Sequence, residues 1–237
     1  KHDPEPLEKN LSEIIQTLKD GDYDIGFVQD ADADRLVILD ENGRFIGEDY
    51  SLAFCIDYIL EQAQQTDPKI VVNLSTSQII EWLAQKHHGS VTYTKIGESN
   101  VTQDIKRLNA IVGGEGNGGV IFPKIGWGRD SLVGIVVALK HLAEKKQPLS
   151  DIVKEYPRFT MLREKIVVNT QEEVQNILKG IQEKFPDNPC NTLDGVKITF
   201  DNSWVHARPS NTEPIVRIFI EAETAEKAQD ILTKVKI

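Results

Sequence analysis

Apolar positions along the chain follow two rhythms. Leu11, Ile14, Ile15 and Leu18 recur at helical spacing and stop before Asp20-Gly21, which predicts an amphipathic helix over residues 8–19. The segments DIGFVQD and RLVILD then read as short buried strands, with Asn42-Gly43 as a turn leading to Phe45. A second helix carries Leu52, Ile56, Ile59 and Leu60. From Lys69 to Lys146 strands and helices alternate: KIVVNL, TSQIIEWLAQKH, SVTYTKI, VTQDIKRL, AIVGG, and a long helix from Asp130 that is apolar on most sides and therefore expected to be buried. Such alternation predicts a mostly parallel sheet.

After Gln147-Pro148 the rhythm changes. Thr170 and Glu173 form a capping box ahead of a helix with Val174, Ile177, Leu178 and Ile181 on one face. The alternating segments VKITF, SWVHA and IVRIFIEA follow, and a last helix carries Ala228, Ile231, Leu232 and Val235. The fold expected is α/β: a mixed, mostly parallel sheet domain over 47–150, preceded by part of a similar domain over 1–46 and followed by a small α+β domain with an antiparallel sheet over 151–237. The first piece is too small to fold alone.

Composition narrows the partners. A net charge of −10 argues against nucleic acid as the main partner, so any cations that hold an anionic ligand must be gathered locally. The longest apolar run, near LVGIVVAL, is too short to cross a membrane. Two cysteines, Cys55 and Cys190, suggest neither a zinc site nor a disulfide framework and favour a reducing cytoplasm. The chain opens KHDPEP without methionine, which is read as an unnatural start.

Three loops carry candidate chemistry. DADADR places Asp30, Asp32 and Asp34 at alternate positions followed by Arg35. Three carboxylates on one tight loop suit a hard divalent cation, and a guanidinium beside them suits a phosphoryl group shared with the ion. A calcium EF-hand is the rival, but its sixth position needs glycine where Arg35 stands, and the flanks read as strands. A solvated acidic turn is the plain alternative. GGEGNGGV brings glycines together around Glu115 and Asn117, a carboxylate and an amide suited to adjacent sugar hydroxyls, or simply a turn. RPSNTEP offers Arg208, Ser210, Asn211 and Thr212, with Arg217 beyond: equipment for a phosphate dianion, or a polar hairpin loop.

In this order the three loops resemble those of the α-D-phosphohexomutase family of phosphoglucomutase, phosphomannomutase and phosphoglucosamine mutase. DADADR looks like its metal loop, GEGNG its sugar loop and RPSNTEP its phosphate loop. The resemblance covers essentially the whole chain and implies the end of the second domain, the third and the fourth. It implies Mg²⁺ on Asp30, Asp32 and Asp34, with Arg35 as the catalytic residue stabilising the moving phosphoryl group. Glu115 and Asn117 would grip sugar hydroxyls, while Arg208, Ser210, Asn211, Thr212 and Arg217 hold the phosphate that is not reacting. The implied partners are hexose phosphate and hexose bisphosphate, and the implied last domain is hinged. No segment resembles the family's phosphoserine loop, so this chain alone is expected to be inactive, and the apolar face left by the lost half-domain is expected to drive self-association. Glu98 after Gly97 leans the substrate towards glucosamine phosphate. Asn117 and Asn211 depart from the commoner family residues. His87, His88, His141 and His206 read as packing or surface residues, which leaves the general base unassigned. The competing readings are a magnesium phosphatase with Asp30 or Asp32 as nucleophile and a non-catalytic sugar-phosphate-binding module.

Overall fold

The computed structural model describes residues 6–210 and 212–235. The chain divides into two units, Lys1–Pro157 and Arg158–Ile237. In the first, a 3-10 turn at Glu8–Asn10 precedes α1 (Ser12–Asp20), so the single helix expected from residue 8 is broken at Leu11. Then β1 (Ile25–Gln29) and β2 (Leu36–Asp40) form an antiparallel hairpin, in register from Ile25↔Asp40 to Gln29↔Leu36. Leu11, Leu18, Val28, Val37 and Leu39 make its small core. The acidic loop is therefore the turn of a β-hairpin, which excludes the helix-flanked EF-hand.

Next come α2 (Glu48–Glu61), β3 (Lys69–Asn73), α3 (Ile79–Lys86), β4 (Ser90–Thr94), α4 (Glu98–Leu108), β5 (Val112–Glu115), β6 (Gly119–Ile121), α5 (Ser131–Lys145) and α6 (Leu149–Lys154). The sheet runs β4-β3-β5-β6, with β3 parallel to both β4 and β5 and β6 antiparallel to β5. Successive strand residues face opposite sides. A Cβ on Gly113 would meet Ile105 of α4, and one on Gly114 would meet Leu52 of α2, so helices cover both faces. Helix α2 is buried on nearly every side, and each fully buried Leu, Ile or Phe stabilises by roughly 1.5–3 kcal/mol.

Two elements depart from expectation. Helix α5 buries Gly134, Val137, Ala138 and His141 but leaves Leu132, Val136 and Leu139 exposed, so it is not buried all round. Its apolar residues cover two faces, and within this unit only one meets α2 and β6. Helix α6 was not foreseen. Pro148 punctuates the end of the α/β rhythm, yet proline just before a first turn also starts helices, and Leu149, Ile152 and Val153 are buried behind it.

The second unit holds β7 (Thr160–Val167), α7 (Gln171–Lys184), β8 (Cys190–Asn191), β9 (Val196–Phe200), β10 (Ser203–Pro209), β11 (Ile215–Ala222) and α8 (Ala225–Val235). Its antiparallel sheet runs β7-β11-β10-β9-β8. Val205, Ala207, Val216, Ile218 and Ile220 line the face that shares a core with α7 and α8. Thr170 Oγ1 accepts from the Glu173 amide at 3.1 Å, as the capping box requires. Strand β7 lies outside the sequence expectation because Arg163, Glu164 and Lys165 interrupt its alternation, as charges on an edge strand do.

Candidate functional site

The acidic loop is shaped by its own first carboxylate. Asp30 Oδ1 accepts from the amides of Asp34 and Arg35, both at 3.1 Å, and Ala33 takes a left-handed φ of 59°. Ser131 at the start of α5 fixes the loop from outside: its amide and Oγ donate to the Ala33 carbonyl at 3.2 and 2.6 Å. Gln29 Nε2 donates in turn to Ser131 Oγ at 2.5 Å. Ligand atoms of Asp30, Asp32 and Asp34 lie within 4.8 Å of one another. Asp34 Oδ1 is buried without a hydrogen-bond partner, and burial, with Asp30 and Asp32 adding, pushes its carboxyl up to about 6 although Arg129 opposes the shift. A divalent cation relieves both the crowding and the orphaned oxygen, so the donor set fits Mg²⁺. Arg35 Nε lies 3.3 Å from Asp30 Oδ2, at the edge of the cluster.

The glycine loop is also a hairpin turn. Glu115↔Gly119 closes β5 and β6, with Gly116, Asn117 and Gly118 at the tip. Gly118 has φ +91°, and a Cβ there would strike the Leu36 carbonyl; its own carbonyl accepts from the Leu36 amide at 3.2 Å. That close backbone approach, which glycine alone permits, sets the glycine turn against the strand that follows the acidic loop. Asn117 Oδ1 accepts from the Gly119 amide at 3.3 Å, while the side-chain amide carries no hydrogen bond to that turn.

Glu115 stands at the carboxyl end of β5 and Asn73 at that of β3. The chain passes from β3 to β4 on one side and returns to β5 on the other, so these two residues flank the switch point where open α/β sheets hold ligands. Glu115 is almost fully buried. Its Oε1 accepts from Asn73 Nδ2 at 2.8 Å and from the Gly97 amide at 2.9 Å. Its Oε2 accepts from Arg129 Nη1 at 2.7 Å. Arg129 also pairs through Nε with Glu98 Oε2 at 3.1 Å and through Nη2 with Asp34 Oδ2. One guanidinium therefore joins the acidic loop, the base of the glycine turn and Glu98.

The third loop belongs to the second unit. It joins β10 to β11, with the Ser210 amide donating to the Ile215 carbonyl at 2.9 Å and the Thr212 amide 3.5 Å from Ser210 Oγ. Arg208 and Arg217 are cross-strand partners and so share a sheet face. Arg208 Nη1 donates to the Pro209 carbonyl at 2.8 Å and Arg217 Nη2 pairs with Glu213. Asn211 lies outside the described residues.

The histidines read as packing residues behave as such where they are buried. His206 is held against the Asp194 carbonyl at 2.6 Å, and His141 stacks on Phe54 at 4.4 Å. His87 pairs at 2.5 Å with Asp57, a buried carboxylate that also holds Tyr156 and Lys86. Sequence reasoning missed Arg129, Asn73 and Asp49. Asp49 is buried beside Gly116 and accepts from the Ser77 amide at 2.8 Å. Their signals were slight: a lone arginine just before the helix-capping Asp130, an amide closing the apolar run IVVN, and an acid in a helix's first turn.

Three family models match the chain in series. They are the phosphoglucomutase/phosphomannomutase alpha/beta/alpha domain II over residues 1–43, alpha/beta/alpha domain III over 47–159, and the C-terminal domain over 164–236. A phosphoglucomutase/phosphomannomutase of Thermococcus kodakarensis is 35% identical over 235 residues, covering 97% of this chain and 50% of that protein. A Methanopyrus kandleri protein named "Probable phosphoglucosamine mutase" is 34% identical over 232 residues, with the same coverage, 97% and 50%. The crystal structure of a family protein from Burkholderia thailandensis matches with a TM-score of 0.84 at 25% identity, over 99% of this chain and 51% of that one. The chain spans about half the length of the curated relatives it matches. With hairpin, mixed sheet and antiparallel sheet in the order these domains require, the chain belongs to the phosphoglucomutase/phosphomannomutase family of phosphohexomutases.

Proposed function

We propose that these residues form the metal, sugar and phosphate loops of a mutase that interconverts hexose 6-phosphate and hexose 1-phosphate through a hexose bisphosphate, with glucosamine phosphate preferred. The observation that carries the reading is the continuous chain of bonds from Asn73 through Glu115 and Arg129 to Asp34, which joins a cation-suited cluster to a sheet switch point.

Asp30, Asp32 and Asp34 would hold Mg²⁺, which supplies neutralisation of phosphoryl charge when bound. Arg35 takes the oxygens of the group in transfer, where a planar guanidinium is better suited than an ammonium. Glu115 and Asn117 orient the sugar: the carboxylate accepts from hydroxyls, and the amide both donates and accepts. In the second unit Arg208, Ser210, Asn211, Thr212 and Arg217 take a phosphate group. The seryl phosphate on which the reaction draws is expected outside these residues, so residues 1–237 taken alone bind substrate without turning it over. Two free thiols suit a reducing cytoplasm.

The lean towards an amino sugar rests on Glu98. Arg129 faces three carboxylates with one positive charge, so the cluster keeps surplus negative charge for an ammonium group. The relative named for glucosamine phosphate supports the same lean, and the one named for glucose and mannose phosphates marks the alternative within the family. Turnover of glucosamine, glucose and mannose 6-phosphates by the full-length protein tests both levels. Activity on glucosamine phosphate that falls in Glu98→Lys is expected. Equal rates on all three, unchanged in the variant, remove the lean, and no mutase activity on any of them removes the reading.

A further inference from the structure

We propose that Arg129 is a positioning residue that presents one oxygen of Asp34 to the cation and makes metal affinity depend on the state of Glu115. The inference rests on the metal-loop reading given above. Arg129 follows β6 and immediately precedes Asp130, the cap whose carboxylate accepts from the Leu132 and Val133 amides at 2.9 and 3.1 Å. The side chain is only 13% exposed, so its direction is fixed by packing as well as by its partners. A Cβ at Gly119 would lie 3.0 Å from Arg129 Cγ and closer still to Cδ, so the strand leaves room for the stem where it crosses.

The three partners require a fork. Nε, Nη1 and Nη2 each meet a different carboxylate, on Glu98, Glu115 and Asp34. Lysine carries the same charge but cannot direct three donors in one plane. At Asp34 the pairing takes Oδ2 and leaves Oδ1, a buried oxygen without a hydrogen-bond partner among the described residues that lies 3.7 Å from Arg35 Nε, on a residue grouped with Asp30 and Asp32. Holding one oxygen so that the other faces the ion is what outer partners of a ligating carboxylate do. At Glu115 the same guanidinium takes Oε2, while Asn73 and Gly97 take Oε1. A change in what Glu115 holds therefore shifts Arg129 and, through it, the ligand oxygen of Asp34.

The rival role is charge alone, and it predicts the opposite sign. Removing a positive charge beside three carboxylates strengthens attraction for a cation, and a lysine in its place leaves attraction as it was. Mn²⁺ titration of the full-length protein followed by electron paramagnetic resonance separates the two, with circular dichroism and thermal unfolding confirming the fold of each variant. Arg129→Met and Arg129→Lys are both expected to weaken Mn²⁺ binding by roughly 10–100-fold, the range for loss of an outer-shell partner. Glu115→Gln is expected to weaken it in the wild-type background and to add little in either Arg129 background. Wild-type affinity in Arg129→Lys, tighter binding in Arg129→Met, or fully additive effects with Glu115→Gln overturn the proposal. If Arg129→Met does not fold, the lysine variant and its double with Glu115→Gln decide. Asp32→Asn keeps the two levels apart: if it leaves Mn²⁺ binding intact, the metal-loop reading fails, whereas its loss of binding alongside a wild-type Arg129→Lys overturns only the role of Arg129.

Discussion

Arg208 and Arg217 stand directly opposite one another on adjacent antiparallel strands, two guanidinium groups on one face beside the hairpin loop of the second unit. Like charges in that relation cost some tenths to about 1 kcal/mol, which the Glu213 carboxylate paired with Arg217 offsets in part and an anion held between the two guanidiniums would offset further. Replacing Arg217 by Ala is expected to raise KM for sugar phosphate roughly ten- to a hundredfold, the range for hydrogen bonds to a charged group. The melting temperature should hold or rise slightly. Steady-state kinetics and calorimetry on the same preparations check both, and a lower melting temperature with unchanged KM would make the pair structural.

Gly118 tests the join between the glycine turn and the acidic hairpin. Its φ of +91° and the Leu36 carbonyl in the space of a Cβ make Gly118→Ala unfavourable twice over, by about 1–3 kcal/mol for the backbone alone. Chemical denaturation should show that loss, and Mn²⁺ affinity should fall with it because Leu36 directly follows the acidic loop proposed to hold the cation. Stability within about 0.5 kcal/mol of wild type would contradict the close packing.

His206 makes the second unit sensitive to acid. Burial is the main cause that lowers its pKa from 6.5 to about 4; Lys197 and Arg208 act in the same direction, and the Asp194 carbonyl and carboxylate oppose. Below about pH 6.5 the unfolded chain binds a proton that the folded chain refuses, so stability falls as pH drops from neutrality and levels off below the folded value. Between about pH 7.5 and pH 5 the loss is on the order of 2 kcal/mol. His206→Gln should remove that part of the slope. Parallel pH dependences of unfolding for the two proteins would show that the histidine is not held neutral.

Most of the framework was legible because it is local. Leu11 to Leu18 sit at helical spacing, the strands that become β3, β4 and β5 are short apolar runs, and Thr170 with Glu173 marks a helix start. The three loops could be found because each concentrates one chemistry within a few residues. What escaped depends on partners distant in sequence. Arg129 gains much of its meaning from Asp34, 95 residues away, and Asn73 from Glu115, 42 residues away. The exposed face of α5 was hidden for the same reason: Leu132, Val136 and Leu139 differ from its buried residues in what they meet, not in kind. Strand β7 hides behind Arg163, Glu164 and Lys165, three consecutive charges that break the alternation and that an edge strand tolerates.

On the proposed function, Asp30, Asp32 and Asp34 together hold a divalent cation. Anomalous diffraction from crystals of the full-length protein soaked in Mn²⁺ tests it directly. One strong peak is expected within about 2–2.6 Å of a carboxylate oxygen from each of the three, with Asp34 bound through the oxygen that Arg129 does not hold. A peak elsewhere, or none at this loop with the metal at saturating concentration, would contradict it.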